Sequence, residues 1–331
     1  MEKLTTTQAF DNLTPDNILD AVETMGIVCD GRFLALNSYE NRVYQIGVED
    51  AAPLVAKFYR PNRWSDAAIL EEHQFTLTLA EQEIPVIPPI VYEDENTLHH
   101  HGPFRFALYP NRGGRAPELD NPGHLEQLGR FIGRIHAAAA TKKYQHRPTL
   151  DIENFAEKPR NFLLENHFLP DHLIEAYQTL SRDLIVQISN CFERAGEVQQ
   201  IRLHGDLHPS NILWANDSPH IVDFDDARMG PAIQDLWMFL SGDREYMTAR
   251  LGDLLEGYTQ FYEFNPAELH LVEAMRTLRI IHYAAWLAKR WHDPAFPIAF
   301  PWFNTHNYWE EHILSLREQA ALMNEPPLIW D

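Results

Sequence analysis

A polar cluster and two short apolar stretches alternate between Leu203 and Asp226, in the order LHGDLHPSNILWANDSPHIVDFDD. ILW and HIV flank the turn-forming ANDSP, and that pattern reads as a β-hairpin. A hairpin here brings the residue before the first strand, Asn211, next to the residue after the second, Asp223. An acid, an amide and a second acid are thereby gathered at one end of a tight supersecondary unit, with Asp206 five positions before Asn211. An isolated H-x-D is a weak signal, because Asp-rich turns are common. The joint pattern of H-x-D-x-x-x-x-N, strand, turn, strand and Asp-Phe-Asp is far more restrictive.

The flanking sequence supplies an architecture. With 331 residues the chain has room for about two domains. Three strand-like stretches, GRFLALN (31–37), NRVYQIGV (41–48) and PLVAKFYR (53–60), follow a short helix opened by Thr14-Pro15-Asp16. A helix is expected from Ser65 to Gln82, with Ile69, Leu70, Phe75, Leu77 and Leu79 on one broad face. PPIVYE and TLHHHGPFRFALY read as further strands, with EDEN as a turn. The histidine run 99–101 reads as the polar end of a hairpin strand, with a metal site as the alternative. After the loop-like NRGGRAPELDNPG nearly everything has helical periodicity. The expected fold is α+β and two-lobed, with a β-rich lobe over 1–109 and a helical lobe over 110–331.

Charge narrows the partners. A formal net charge of −21 argues against nucleic acid or an anionic membrane, both of which demand a basic footprint. Two cysteines suggest no disulfide framework, and no apolar leader or spanning run is present, so a soluble cytoplasmic monomer is expected.

The chemistry follows from the spacing. In a loop written H-R-D-x-x-x-x-N the Asp acts as base toward a hydroxyl and the Asn holds magnesium. His204, Asp206 and Asn211 reproduce that spacing, with Gly205 in the Arg position. Asp223 is the expected carboxylate partner, placed to bridge metal and nucleotide phosphates. Phosphoryl transfer also needs a lysine on a strand to orient the phosphates. Lys57 in LVAKFY shares a face with Val55 and Tyr59 under the period-2 rule, and a lysine there is costly unless paired. Of the two adjacent acids on the next helix, Glu72 falls within the apolar stripe and Glu71 points off it, so Glu72 is the expected counter-charge. No G-x-G-x-x-G or Walker sequence occurs. The turn NSYENR, with Ser38, stands where a phosphate-covering loop is needed, or is simply a hairpin turn. Adenine is expected against backbone groups around Leu108, Tyr109 and Asn111. Another reading gathers His204, Asp206, His208, Asp223 and Asp225 as a metallohydrolase site, which leaves Asn211 without a task; a silent nucleotide-binding module is the other cross-class alternative.

LHGDLHPSNILW and IVDFDDA resemble the catalytic and metal motifs of the aminoglycoside phosphotransferase and choline kinase superfamily, which has the protein-kinase-like fold. LGRFIGRIHAAA (128–139) is similar to the helix before that family's catalytic loop. GPAIQDLWMF (230–239) is similar to the helix after its metal Asp, with Asp235 as the carboxylate that braces the loop. LNSYENRVYQ, KFYRPNRWS, ILEEHQF, DDARMGPAIQDLW and AWLAKRWHDPAF resemble, more narrowly, the bacterial branch of RdoA-type stress response kinases.

That resemblance implies an ATP- and Mg2+-dependent serine/threonine protein kinase serving envelope or oxidative stress responses. Its acceptor is then a Ser/Thr protein, itself included. It implies Asp206 as base, Asn211 and Asp223 as metal ligands and Ser38 at the nucleotide. A small-molecule kinase acting on an amino alcohol, sugar or aminoglycoside is the alternative with the same residues. Two departures from eukaryotic protein kinases stand out: Phe224 is followed by Asp225 instead of Gly, and no A-P-E segment follows. The acceptor is therefore expected on helices after 244, with Trp286 and Trp291 in the core and Phe296, Phe300 and Trp302 lining or closing the cleft.

Overall fold

A computed structural model of the chain describes Phe10, residues 12–92 and residues 95–330. The fold divides into two compact units. One comprises Met1–Pro117, Tyr144–Arg147 and Ser210–Asp226; the other comprises Glu118–Lys143, Pro148–Pro209 and Ala227–Asp331. The sheet-bearing unit is therefore not one contiguous stretch ending at 109, because it recruits the hairpin region from far along the chain.

In the first unit, helix α1 (Pro15–Glu23) starts where the Thr14 side chain accepts from Asn17 N and Pro15 presets the backbone. Strands β1 (Cys29–Ala35), β2 (Arg42–Val48) and β3 (Leu54–Phe58) form an antiparallel meander. Helix α2 (Asp66–Glu81), capped by Ser65, leads to the hairpin of β4 (His99–His101) and β5 (Phe104–Pro110). β5 lies beside β3, giving the order β1-β2-β3-β5-β4. Ala56 and Phe58 of β3 face a core shared with Ile18, Ala21 and Val22 of α1. Lys57 and Tyr59 alternate to the opposite face, where Tyr59 packs with Ile69 and Ala107.

Several expectations need correction. Residues 88–92 of PPIVYE form no strand: Pro88 and Pro89 have no N–H to give a ladder, and Ile90 N donating to Leu108 O at 2.7 Å attaches the segment instead. Of its EDEN turn, Glu93 and Asp94 lie outside the described residues. On α2 the buried stripe is Ala68, Ile69, Glu72, His73, Phe75, Thr76 and Leu79. Leu70 is exposed and Leu77 half-buried, because they sit beyond one edge of that stripe. The histidine run holds no metal cluster among the described residues. His99 is buried against Tyr92 and Phe106, whereas His100 reaches Asp66.

The hairpin of Ile212–Ala215 and Ser218–Ile221 turns at Asn216 and Asp217, whose φ values of 50° and 58° suit a tight two-residue turn. It is fastened on both sides. Ile221 N donates to Pro85 O at 2.8 Å and Ile87 N to Ile221 O at 3.1 Å, while Trp214 N donates to Arg115 O at 2.7 Å.

The second unit contains α3 (Pro122–Ala139), α4 (Lys158–Glu165), α5 (Asp171–Ala195), α6 (Arg244–Tyr258), α7 (Val272–Arg290), α8 (Ala295–Ala299) and α9 (His306–Leu322). α3 and α6 touch backbone to backbone: a Cβ on Gly129 would lie 1.9 Å from Leu254 O, and one on Gly257 1.9 Å from Glu126 O. The 230–239 segment is not an α-helix. Arg228–Gly230 pairs with Ile201–Leu203, and 3-10 turns follow at Ala232–Asp235 and Trp237–Phe239. Pro231 precedes the first turn, and the Glu268 carboxylate takes Ile233 N at 2.8 Å in place of a helical carbonyl. Phe296 and Phe300 are buried against Trp286, which is half-buried like Trp291, so the two phenylalanines belong to the packing. No helix among the described residues is long and apolar enough to cross a membrane.

Candidate active site

A cavity of about 470 Å3 opens within the first unit. Ser38, Lys57, Glu72, Tyr109, Asn211 and Asp223 all line it. Val43, Val55, Ile87, Leu213 and Val222 give it apolar walls, which suit a flat heterocycle beside a polar end. Leu108 is not among the lining residues. It pairs with Ala56 in the sheet, is fully buried, and its carbonyl is taken by Ile90 N. The lining resumes at Tyr109 and continues through Pro110 and Asn111 to Gly114.

Lys57 sits mid-strand between Val43 and Ala107 and is buried. Its ammonium donates to Asp223 Oδ1 at 2.8 Å and lies 3.5 Å from Asp225 Oδ1. Burial alone would lower its pKa, but Asp223 and Asp225 more than offset that and hold Lys57 charged. Asp223 reaches this position with φ at 64°, a left-handed backbone that Asp tolerates. Its side chain remains 51% exposed. Asp225 is buried and bonded to Arg63, which also bonds Asp226 at 2.8 Å. Glu40 lies 3.1 Å from Arg60, and Arg60 Nε donates to Glu40 O at 2.8 Å, so the turn containing Ser38 is held by arginines where a glycine-rich loop would be mobile. Ser38 Oγ itself donates to Asn41 O at 3.3 Å.

Glu72 is buried on the inward stripe, but no ion pair joins it to Lys57. Its closest guanidinium is Arg147 Nη2, 3.7 Å from Oε2. Burial raises the Glu72 pKa to about 7 against the pull of Lys57 and Arg147. Glu71, expected to be solvated, instead accepts from the backbone N–H groups of Gln145, His146 and Arg147 at 2.5, 2.9 and 3.2 Å. Arg147 then donates to Ala68 O at 2.8 Å and Asp225 O at 2.6 Å. Behind Tyr109, a buried chain links Tyr109, Tyr59, His73 and Thr97. Burial lowers the His73 pKa to about 3, so that ring is neutral.

Asp206 belongs to the second unit, and the chain passes to the first between Pro209 and Ser210. The backbone of its loop is fixed from behind. Asp235 accepts from His204 N at 2.8 Å and Gly205 N at 2.9 Å, and Gln234 donates to Gly205 O at 3.0 Å. Gly205 takes φ at 85°, which explains a glycine where the H-R-D pattern has an arginine. Burial opposes the charge on Asp235, but hydrogen bonding from His136 and Gly205 keeps it ionised below the usual range. His204 braces the loop: its ring is buried and its Nδ1 accepts from Asp206 N at 3.3 Å. The Asp206 carboxylate is bonded by Arg279 of α7, with His208 3.6 Å away.

The donor set fits magnesium better than zinc. Asn211 and Asp223, whose side chains carry hard oxygens, both line the cavity, and Asp223 keeps half its side-chain surface open. Among the described residues no group of three or more His, Cys, Asp or Glu side chains is placed to hold a metal ion, and Asp225 is committed to Arg63 and Lys57. Sequence reasoning missed Arg63, Arg147, Glu71 as an anchor, and Arg279. Each acts across a long sequence separation, and an arginine in a loop or on a helix carries no local signal of its partner.

Residues 32–272 match the model of the phosphotransferase enzyme family. Over 319 residues, 96% of each chain, the sequence is 44% identical to stress response kinase A of Escherichia coli O157:H7. Over the same share it is 41% identical to serine/threonine protein kinase RdoA of Salmonella typhimurium. Among solved structures, amicoumacin kinase hAmiN in complex with AMP-PNP, Ca2+ and Ami has TM-score 0.72 at 17% identity, covering 97% of this chain and 96% of that one. A microcompartment-associated aminopropanol kinase has TM-score 0.68 at 17% identity, covering 88% and 91%. The fold is kinase-like, and the chain belongs to the phosphotransferase enzyme family, within its stress response kinase A group.

Proposed function

We propose that this kinase is an ATP- and magnesium-dependent serine/threonine protein kinase of the bacterial stress response. The observation that carries the chemistry is the 2.8 Å bond from Lys57 to Asp223, inside a cavity that also presents Asn211 and Ser38. The protein acceptor is supported by the relative named serine/threonine protein kinase, 41% identical along nearly the whole chain.

In this reading the apolar walls take the adenine beside Tyr109–Asn111. Lys57 aims at the phosphates, and Glu72, which lines the same cavity, carries part of a negative charge near neutral pH. Asn211 and Asp223 would hold magnesium, which when bound neutralises charge on the phosphates. Asp206 accepts the proton of the acceptor hydroxyl, and the Asp235 brace keeps that carboxylate in place without reorganisation.

Incubating the full chain with γ-labelled ATP tests this, with a generic protein substrate on one side and a panel of amino alcohols and aminoglycosides on the other. Label on protein Ser/Thr, abolished by EDTA and restored by magnesium, is the expected result. Label on a small alcohol with none on protein would replace the proposal by a small-molecule kinase.

A further inference from the structure

α7 carries Arg279, Tyr283, Trp286 and Arg290 at intervals of four, three and four residues, so they share one face of the helix. Its other faces are packed: Met275, Leu278, Ile281, Ala285 and Leu287 are buried. The partly exposed stripe starts at the guanidinium bonded to Asp206. The Arg279 side chain is 41% exposed, and its other N–H groups make no hydrogen bond among the described residues. Next along the stripe, Tyr283 and Trp286 stack with ring centroids 5.6 Å apart and planes 15° from parallel. This aromatic step is rigid, because Phe296 and Phe300 pack under Trp286 at 5.1 and 6.0 Å. Between those two phenylalanines, Ile298 is 81% exposed. A firm apolar platform next to the loop of a proposed base is a recognition surface, not a packing remainder.

We infer that this face of α7 is the acceptor-docking surface and that its occupant is an extended peptide segment of the protein substrate. The inference rests on the protein-kinase reading above and specifies its substrate. Charge complementarity and length set the chemistry of that peptide. Arg279 places a guanidinium with spare N–H groups at the Asp206 end of the stripe, in a chain of net charge −21, so that end suits an acidic residue beside the acceptor hydroxyl, while Arg290 lies over the Trp286 ring. The seven-residue rise from Arg279 to Trp286 is about 10 Å. An extended peptide advances about 3.3 Å per residue. An aliphatic or aromatic side chain three residues from the phosphorylated Ser/Thr therefore reaches the Tyr283–Trp286 platform.

The test uses the full chain, Mg-ATP and two sets of Ser/Thr peptides: one set carries Asp or Ala beside the acceptor, and the other differs only at the positions three residues either side of it. The wild type should favour Leu or Phe over Ala at one of them by roughly tenfold in kcat/KM, mostly through KM, as one apolar anchor typically provides. Tyr283→Ala should erase that preference and Tyr283→Phe should keep it. Arg279→Ala should erase selection for a neighbouring acidic residue. Peptides phosphorylated with no anchor preference, or a preference that survives Tyr283→Ala, overturn the surface and leave the protein-kinase reading standing. Transfer to small alcohols with none to any peptide overturns that reading, and the surface with it.

Discussion

The Glu71 carboxylate accepts the backbone N–H of Arg147 at 3.2 Å, and the Arg147 side chain returns to Ala68 O, one turn before Glu71 on α2, at 2.8 Å. The two residues close a clamp that holds the 145–147 backbone to α2 and places a guanidinium near Glu72. Lys57 is consequently left to Asp223 and Asp225.

Glu71→Ala should lower stability by about 2 kcal/mol, since hydrogen bonds to a charged group are each worth about 1.5–3 kcal/mol and Glu71 is only half-buried. Glu71→Gln keeps an acceptor and should lose less. Urea unfolding of both variants checks this; a wild-type midpoint for Glu71→Ala would return the residue to the solvated role its helical phase suggested.

Asp225 is the buried carboxylate on which Arg63 and Lys57 converge. Asp225→Asn leaves those cations with fewer partners in a dry site and should cost roughly 3 kcal/mol. Asp226→Asn, at a side chain 32% exposed, should cost under about 1 kcal/mol. Equal losses in thermal melts of the two variants would mean that Asp225 is not the hub of the network.

How far the sequence reached is visible at particular residues. Lys57 and the 212–221 hairpin were legible because period-2 alternation and an Asn-Asp turn are local signals. The inward phase of Glu72 was legible for the same reason, but its cation was not. Arg147 lies 75 residues further on, and no helical period reports which arginine a folded chain will bring back. Leu108 shows the converse: position near a lobe junction suggested nucleotide contact, whereas its strand face buries it opposite Ala56. The 230–239 segment had helical periodicity, but its side chains are spent on the Asp206 loop, and 3-10 turns deliver Gln234 and Asp235 there.

Asp206→Ala should reduce phosphoryl transfer by roughly 10²–10⁴-fold while nucleotide affinity is kept, the usual contribution of a positioned base. The loop should survive because Asp235, not Asp206, holds its backbone. Asp235→Ala should behave differently, stranding the buried N–H groups of His204 and Gly205 and lowering stability by about 2–3 kcal/mol. Single-turnover kinetics beside unfolding curves for the two variants separate the roles. Wild-type turnover in Asp206→Ala would remove it as the base.

Glu268 provides a pH signature outside the cavity. Burial raises its pKa from the ordinary 4.5 to about 7, against hydrogen bonds from the Ile233 and Ala232 backbone. A raised carboxyl pKa means that the folded state holds the proton longer than the unfolded state does. The contribution to stability is therefore full below about pH 4.5 and is lost as pH rises towards 7, by about 3 kcal/mol in all. Glu268→Gln cannot titrate and keeps an acceptor for Ile233 N. Relative to wild type, the variant should gain stability steadily between pH 5 and pH 7 and then level off. Denaturant unfolding of both proteins at half-unit pH steps measures that difference; a difference independent of pH across this window would show that Glu268 is ionised in the folded chain throughout.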